Sequence, residues 1–108
     1  MRTDYDKCYI IAELSANHGD SLDIVYKTMD AALDAGADAF KLQTYTADTI
    51  TLNAKQSHFR IDQNTHWDGQ YLYDLYKAAA LPWEWHEPIF EYAAKIGIDC
   101  FSSPFDAT

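Results

Sequence analysis

Two short apolar runs flank a helical repeat within the first 43 residues, and this order constrains the fold more than any other feature. Residues Cys8–Ala12 form a short, β-rich and nearly continuous apolar run, which is typical of a strand buried on both faces. Apolar residues then recur with helical spacing from Leu22 to Leu33, and Gly36 follows where glycine often ends a helix. Residues 37–43 form the second run. Together they predict a βαβ unit with parallel strands.

A longer irregular segment separates this unit from the rest of the chain. Residues 44–68 are rich in Thr, Asn, Asp and Gln, and a segment of this length is usually functional or disordered. Its aromatic residues argue against disorder. Helical spacing returns over residues 72–79. A further helix is predicted to begin near Trp83, or later because Pro88 is tolerated only in a first turn, and residues 98–102 predict a third strand.

The predicted order of elements is β, α, β, irregular segment, α, α, β, which is the opening of a parallel α/β fold. A sheet of three strands leaves an exposed edge and one half-covered face, so it makes a poor independent domain. A complete eight-stranded barrel needs about 250 residues. The 108 residues are therefore expected to be the first part of a larger α/β domain. Alone, they are expected to show marginal stability or self-association through the third strand.

Charge and composition exclude several classes of protein. The chain carries 17 acidic and 8 basic residues, for a net charge of −9, which disfavours general nucleic-acid binding and adhesion to anionic membranes. No apolar run approaches the roughly 20 residues that span a bilayer, and residues 1–7 do not resemble a secretory signal. The two cysteines, Cys8 and Cys100, lie far apart in the sequence. These features predict a cytoplasmic chain with reduced thiols.

Polar side chains follow each predicted strand, at the end where parallel α/β folds bind their ligands. They are Glu13 to His18 after the first strand, Lys41, Gln43 and Tyr45 at the end of the second, and Ser102, Ser103 and Phe105 after the third. Together these residues supply a carboxylate, an amide, an ammonium group and hydroxyls at the mouth of the fold, where the strands end. This set of groups suits a small, polar, anionic ligand.

Glu13 and Lys41 each allow two interpretations. Glu13 is either a partner for Lys41 on the neighbouring strand or an acceptor of hydrogen bonds from substrate hydroxyls, and its position alone does not decide between them. Lys41 lies between Phe40 and Leu42, where an ammonium group needs a counter-charge or must extend to the surface. A phosphate or carboxylate ligand is the favoured role of Lys41, because a chain of such negative charge needs a local cation to hold an anion.

The remaining candidates give weaker signals. His18 could be a metal ligand, a base or a hydrogen-bonding residue of a loop, and the last role is favoured. The other three histidines show no metal-ligand spacing. Trp67 lies in the irregular segment and could wall a pocket, whereas the other large aromatics up to residue 92 suit helix packing. Ser102 and Ser103 lack an evident base, so binding is a safer role for them than nucleophilic catalysis.

Three stretches of the chain resemble the sialic acid synthase family, in the family's order and approximate spacing. They are residues 10–18, IIAELSANH; residues 35–46, AGADAFKLQTYT; and residues 101–106, FSSPFD. Within that family the sequence of these segments is most similar to that of the pseudaminic acid branch. The supporting segments are ELSANH at 13–18, WDG at 67–69, WEWH at 83–86 and FSSPF at 101–105.

The resemblance implies a TIM (β/α)8 barrel of which residues 1–108 are the N-terminal part, ending after the third strand. It implies condensation of phosphoenolpyruvate with an N-acetylated amino sugar, 2,4-diacetamido-2,4,6-trideoxy-L-altrose, to give a nine-carbon acid and phosphate. A divalent metal, Mn²⁺ or Mg²⁺, would polarise the sugar aldehyde from ligands in later strands. The alternatives are an N-acetylneuraminate or legionaminic acid synthase, or a non-catalytic module that binds a sugar or phosphate.

The resemblance also implies roles for individual residues. By position, Lys41 and Ser103 match residues that hold phosphoenolpyruvate, and Glu13 matches a glutamate that binds acceptor hydroxyls, so Glu13 and Lys41 are the catalytic candidates. Gln43 matches a glutamine beside the lysine. Residues Asn17, His18, Tyr45 and Phe105 would line the mouth. The rest of the barrel and an antifreeze-like C-terminal domain would lie outside these residues, so we expect the chain to be inactive alone and the full enzyme to be a homodimer.

Overall fold

The computed structural model describes residues 7–107, which form a parallel three-stranded sheet with helices against one face. The elements in chain order are β1 Ile11–Glu13, α1 Leu22–Asp34, β2 Ala39–Thr44, α2 Ala47–Ile50, α3 Leu72–Ala79, α4 His86–Ile96 and β3 Asp99–Pro104. Short 3₁₀ turns cover Ser57–Phe59 and Trp83–Trp85. The strand order is β1-β2-β3, and both pairs are parallel. The predicted βαβ unit and the parallel α/β class are confirmed.

Local chemistry sets the ends of the helices. The Ser21 hydroxyl accepts a hydrogen bond from the Ile24 amide and caps the start of α1. Gly36 follows that helix with φ of 91°, a conformation that costs glycine little. Pro88 lies in the first turn of α4, which begins at His86 after the 3₁₀ turn, so the later of the two predicted starts is confirmed.

The hydrophobic core lies between the sheet and the helices α1 and α4. Phe40 and Leu42 of β2 are fully buried against Val25 and Met29 of α1 and Ile89 of α4. Successive side chains of a strand point to opposite faces of a sheet, so Lys41 and Gln43 point away from this core.

The face of the sheet that points away from the helices is called the open face here. At the carboxyl ends of the strands it carries Glu13 of β1, Lys41 and Gln43 of β2, and Phe101 and Ser103 of β3. The strand register places Glu13 opposite Lys41, Lys41 opposite Phe101, and Gln43 opposite Ser103. Because the side chains alternate, β2 carries the core residues Phe40 and Leu42 on one face and the polar residues Lys41 and Gln43 on the other.

The prediction that the first strand is buried on both faces was wrong. The strand is shorter and later than predicted, Ile11–Glu13, and Ile11 is 46% exposed. Only Ala12 of β1 packs against the core, because the described helices cover one face of the sheet. An apolar run indicates that a strand can be buried, but burial also requires other elements that pack against that strand.

The irregular segment is ordered. It contains the one-turn helix α2 and a turn closed by an antiparallel bridge between Arg60 and Tyr71. Within that turn the Ile61 amide donates to the Gln70 carbonyl at 2.9 Å, and the Gly69 amide donates to the Ile61 carbonyl at 3.0 Å. These contacts hold Trp67 and Asp68 on a defined loop beside α3.

The helices of the described region are short. The longest, α1, has 13 residues, and none has the length and apolar character that a bilayer crossing requires.

Candidate functional site

An ion pair lies on the open face at the carboxyl ends of β1 and β2. The Lys41 Nζ is 3.0 Å from the Glu13 Oε2, and the two side chains remain 32% and 29% exposed. The pairing follows from the register, which sets these residues opposite each other on adjacent strands. Glu13 is thus the counter-charge that Lys41 needs, and both groups stay accessible from the open face.

Gln43 and Ser103 form the next opposed pair on the same face, two residues further along their strands. The four predicted residues Glu13, Lys41, Gln43 and Ser103 therefore come together at one edge of the sheet. A carboxylate, an ammonium, an amide and a hydroxyl at this edge can bind an anionic group and neighbouring hydroxyls.

A hydrogen-bond chain on the opposite face ties the ends of β2 and β3 together. The His86 Nδ1 lies 2.9 Å from the Trp83 carbonyl, which can only accept, so this nitrogen carries the proton. The His86 Nε2 then accepts from the Thr44 hydroxyl at 2.7 Å, and Thr44 accepts from the Ser102 hydroxyl. The chain supports the strand ends that present Gln43 and Ser103. Sequence reasoning found no metal-ligand spacing for His86 and missed its role in this chain.

A cavity of about 510 Å³ opens beside this edge. It is lined by Ser15, Ala16, Asn17, Gln43, Tyr45, Ile50, Trp67, Leu75, Tyr76, Ala79 and Phe105. The Tyr45 and Phe105 rings stack with centroids 5.3 Å apart, and the Tyr76 ring meets Tyr45 edge-on at 6.0 Å. Burial raises the pKa of the Tyr45 hydroxyl, so it is a neutral donor at ordinary pH.

The cavity collects four of the residues predicted to bind substrate: Asn17, Gln43, Tyr45 and Phe105. The Asn17 Nδ2 also donates to the Leu14 carbonyl at 3.1 Å, which fixes the loop after β1. Trp67 lines the cavity, as its position in the irregular segment suggested. Among the described residues Glu13, Lys41 and Ser103 lie outside its lining, on the open face.

Helix α3 contributes three cavity residues that sequence reasoning missed: Leu75, Tyr76 and Ala79. Their helical spacing indicated packing, and nothing in the spacing distinguishes packing against a core from lining a cavity. Ile50 of α2 was also missed, because a helix of one turn has no periodicity to detect.

His18 does not line the cavity, so its predicted place in the mouth is corrected. The residue is 2% exposed, its Nε2 donates to the Ala79 carbonyl at 2.9 Å, and its Nδ1 accepts from the Asp20 amide at 3.2 Å. Its ring also meets Trp85 edge-on at 5.7 Å. Both nitrogens are occupied, so His18 joins the loop after β1 to the end of α3, which is the hydrogen-bonding role that the sequence favoured.

Residues 7–107 offer no group of three or more His, Cys, Asp and Glu side chains that could hold a metal ion. Their donors do not fit a divalent cation by themselves.

The sequence model of the NeuB family matches residues 28–108 of the chain. The chain is 54% identical over 99 residues to the pseudaminic acid synthase of Campylobacter jejuni serotype O:2, covering 92% of this chain and 29% of that protein. It is 48% identical to the pseudaminic acid synthase of Helicobacter pylori, covering 91% and 28%. The N,N'-diacetyllegionaminic acid synthase of Legionella pneumophila is more distant, at 35% identity over 92% and 28%.

The fold also matches a solved structure. The N-acetylneuraminic acid synthetase of Leptospira borgpetersenii, crystallised with citrate, superposes with a TM-score of 0.69 at 27% identity, covering 92% of this chain and 30% of that one. The chain thus spans less than a third of the length of the relatives it matches.

Proposed function

The chain belongs to the NeuB family, and from this membership we propose that it forms the front part of a synthase that joins phosphoenolpyruvate to an N-acetylated amino sugar. The observation that carries the proposal is the accessible pair of Lys41 and Glu13 at the carboxyl edge of a parallel sheet, beside a cavity that holds Gln43. A cation and a carboxylate at this edge suit one anionic and one hydroxyl-bearing reactant.

The proposed reaction forms a carbon–carbon bond and a bond from C2 to a water oxygen, and it breaks the bond from C2 to the phosphate oxygen. C3 of phosphoenolpyruvate attacks the aldehyde carbon of the open-chain sugar, and the aldehyde oxygen gains a proton. Water adds to C2, and phosphate leaves with the oxygen that joined it to C2. The product is a nine-carbon α-keto acid.

The site residues divide between the two reactants in this proposal. Lys41 binds an anionic group of phosphoenolpyruvate, since its Nζ is the cation at this edge, and the Ser103 hydroxyl adds a hydrogen bond. Glu13 accepts hydrogen bonds from acceptor hydroxyls, and Gln43 extends toward the cavity. The pair at 3.0 Å holds both side chains in place before either reactant arrives.

The pseudaminic acid branch is the favoured one. Identities of 54% and 48% to two pseudaminic acid synthases exceed the 35% to a legionaminic acid synthase over the same part of the chain. We therefore propose 2,4-diacetamido-2,4,6-trideoxy-L-altrose as the acceptor.

The proposal assigns residues 1–108 to the opening β/α units of a TIM barrel. The support is the parallel sheet, its open face and the coverage of about 30% of a sialic acid synthetase. The remaining strands, any ligands for Mn²⁺ or Mg²⁺, a C-terminal antifreeze-like domain and a dimer partner would be supplied outside these residues. A cytoplasmic location is part of the same proposal. The chain by itself is expected to release no phosphate, and sugar- and metal-dependent release would contradict this.

The experiment that tests the function is a phosphate-release assay on the full-length protein that contains these residues. Unmodified protein is expected to release phosphate from phosphoenolpyruvate only when the diacetamido sugar is present. Lys41→Gln is expected to lower kcat/KM by roughly a hundredfold or more, because the anion loses its cation. Lys27→Gln is the matched control, since Lys27 forms a 2.7 Å pair with Asp23 on the exposed surface of α1. Equal activity in both variants would refute the role of Lys41.

A further inference from the structure

The cavity has two kinds of wall. Its polar wall consists of Ser15, Asn17 and Gln43. Its apolar wall consists of Tyr45, Ile50, Trp67, Leu75, Tyr76 and Phe105. None of the described residues that line the cavity carries a formal charge at neutral pH. A site of this composition favours a neutral group that bears both amide or hydroxyl oxygens and apolar substituents.

Charge separates this cavity from the place where an anion binds. The Lys41 cation lies on the open face and outside the cavity lining, in its pair with Glu13. Gln43 belongs to both places, because it lies two residues from Lys41 on the same face and also lines the cavity. An anionic reactant at Lys41 and a neutral reactant in the cavity would therefore meet at Gln43.

The apolar wall is assembled from separate parts of the chain. Tyr45 follows β2, Phe105 follows β3, Ile50 ends α2, Leu75 and Tyr76 belong to α3, and Trp67 lies on the bridged turn. The Tyr45 and Phe105 rings stack on each other, and Tyr76 meets Tyr45 at right angles. Tyr45 is nearly buried in this cluster, whereas Phe105 is 42% exposed. Trp67 is 43% exposed, and its ring contacts His66 with centroids 4.1 Å apart, so part of this residue remains open to a ligand.

We propose that the apolar wall selects the acceptor sugar by its methyl groups: it receives acetamido methyls and the C6 methyl of a 6-deoxy sugar, and it disfavours sugars with a hydroxyl at that carbon. This inference rests on the proposed function and deepens it. A hydroxyl placed against the ring faces or against the side chains of Ile50 and Leu75 loses water without gaining a partner there, whereas a methyl group gains contact area. A discrimination of roughly 10- to 200-fold per substituent is the range that such pockets reach.

The test compares two acceptors in the full-length protein. The kcat/KM is measured for the 2,4-diacetamido-2,4,6-trideoxy sugar and for its 6-hydroxy counterpart, each with saturating phosphoenolpyruvate. Unmodified protein is expected to prefer the deoxy sugar by roughly tenfold or more. Trp67→Ala and Ile50→Ser are expected to reduce this ratio at least severalfold, without a matching change in KM for phosphoenolpyruvate.

Trp83→Ala is the matched control, because Trp83 is 52% exposed and lies outside this cavity. Its ratio is expected to equal that of unmodified protein. The second wall variant covers the case in which one variant fails to fold, as judged by circular dichroism.

Saturation-transfer NMR gives a readout that does not need turnover. With the deoxy sugar as the probe, its methyl protons are expected to receive more saturation than its ring protons, and less so in Trp67→Ala. The role of the apolar wall would be overturned if the wall variants are active and keep the acceptor ratio of unmodified protein. It would also be overturned if the methyl protons receive no more saturation than the ring protons. Either result would leave the synthase function standing. Absence of turnover with every acceptor, together with normal methyl saturation, would instead overturn the synthase function.

Discussion

At the scale of residues, Lys41 shows how a strand can carry both core and reactive groups. Its neighbours Phe40 and Leu42 are fully buried, while its own ammonium pairs with Glu13 on the open face. Strand alternation makes this division predictable from sequence, and the four residues predicted from the strand ends do share one edge. For His18 the sequence favoured the observed hydrogen-bonding role but wrongly placed the residue in the binding site. A histidine in a loop has no periodicity that distinguishes a ligand from a buried hydrogen-bonding residue.

Replacement of His18 is expected to cost stability. His18→Ala leaves the Ala79 carbonyl and the Asp20 amide without their present partners and opens a gap beside Trp85. The free energy of unfolding is expected to fall by about 1–3 kcal/mol, measured by denaturant titration of the full-length protein. His58→Ala, at an exposed position, is the control and is expected to change stability by less than about 0.5 kcal/mol. Equal stability of the two variants would contradict the structural role of His18.

Protonation of Asp68 is expected to loosen the turn that carries Trp67. The Thr65 and Gln63 amides donate to its Oδ1 at 3.0 and 3.2 Å, and these hydrogen bonds lower the pKa of Asp68. A lowered pKa means that the carboxylate stabilises the fold above the pKa of an unfolded aspartate, about 3.9, and that this contribution is lost as the pH falls through the lower folded value.

The Trp67 indole resonance reports this transition by NMR, with Trp83 as the internal reference. Its shift is expected to stay constant down to about pH 4 and to move below that pH. Asp68→Asn retains an acceptor oxygen without a titrating group, so its Trp67 resonance is expected to lose this step. An identical step in the variant would assign the transition to another group.

At the scale of elements, the ends of two helices were more predictable than the burial of β1. Gly36 and Pro88 mark helix ends through their own backbone chemistry, so their signals are local. The extent of burial of β1 depends on what packs against it, and an apolar run alone does not encode that. The helix α2 has one turn, which is too short for a periodic signal.

The rate at which the Cys100 thiol is alkylated is expected to report how stably β3 packs against the helices. Cys100 packs against the core, and burial raises its pKa to about 11, whereas Cys8 is exposed. At pH 8, iodoacetamide is expected to modify Cys100 at least roughly tenfold more slowly than Cys8, because the thiolate is the reacting form. In denaturant the two rates are expected to converge, and mass spectrometry of the labelled peptides measures both. Fast labelling of Cys100 under native conditions would show that β3 is loosely attached.

At the scale of the whole molecule, the order and parallel arrangement of the strands follow from the sequence, but the cavity does not. Its lining comes from separate segments, and their convergence depends on packing rather than on any local pattern. Both outer strands of the described sheet, β1 and β3, have only β2 as a strand partner. Large apolar side chains, among them Ile11 and Phe101, remain exposed.

Residues 1–108 expressed alone are expected to self-associate for these reasons. Sedimentation velocity over a hundredfold range of concentration, roughly 1 to 100 μM, is expected to show growth in mean size. Phe101→Lys places a charge on the open face of the edge strand and is expected to reduce the association. A monomer at every concentration, with one cooperative unfolding transition, would contradict this expectation.

The alternation along β2 also has an evolutionary consequence. Exchange of one residue for another at Lys41 or Gln43 changes what the open face can bind and leaves the buried neighbours in place. Loss or gain of one residue within the strand would instead reverse the direction of every later side chain, turning Phe40 or Leu42 outward and a charged group into the core. Descendants of this chain can therefore acquire new ligand preferences by point changes in β2, while changes of length should be confined to the loops.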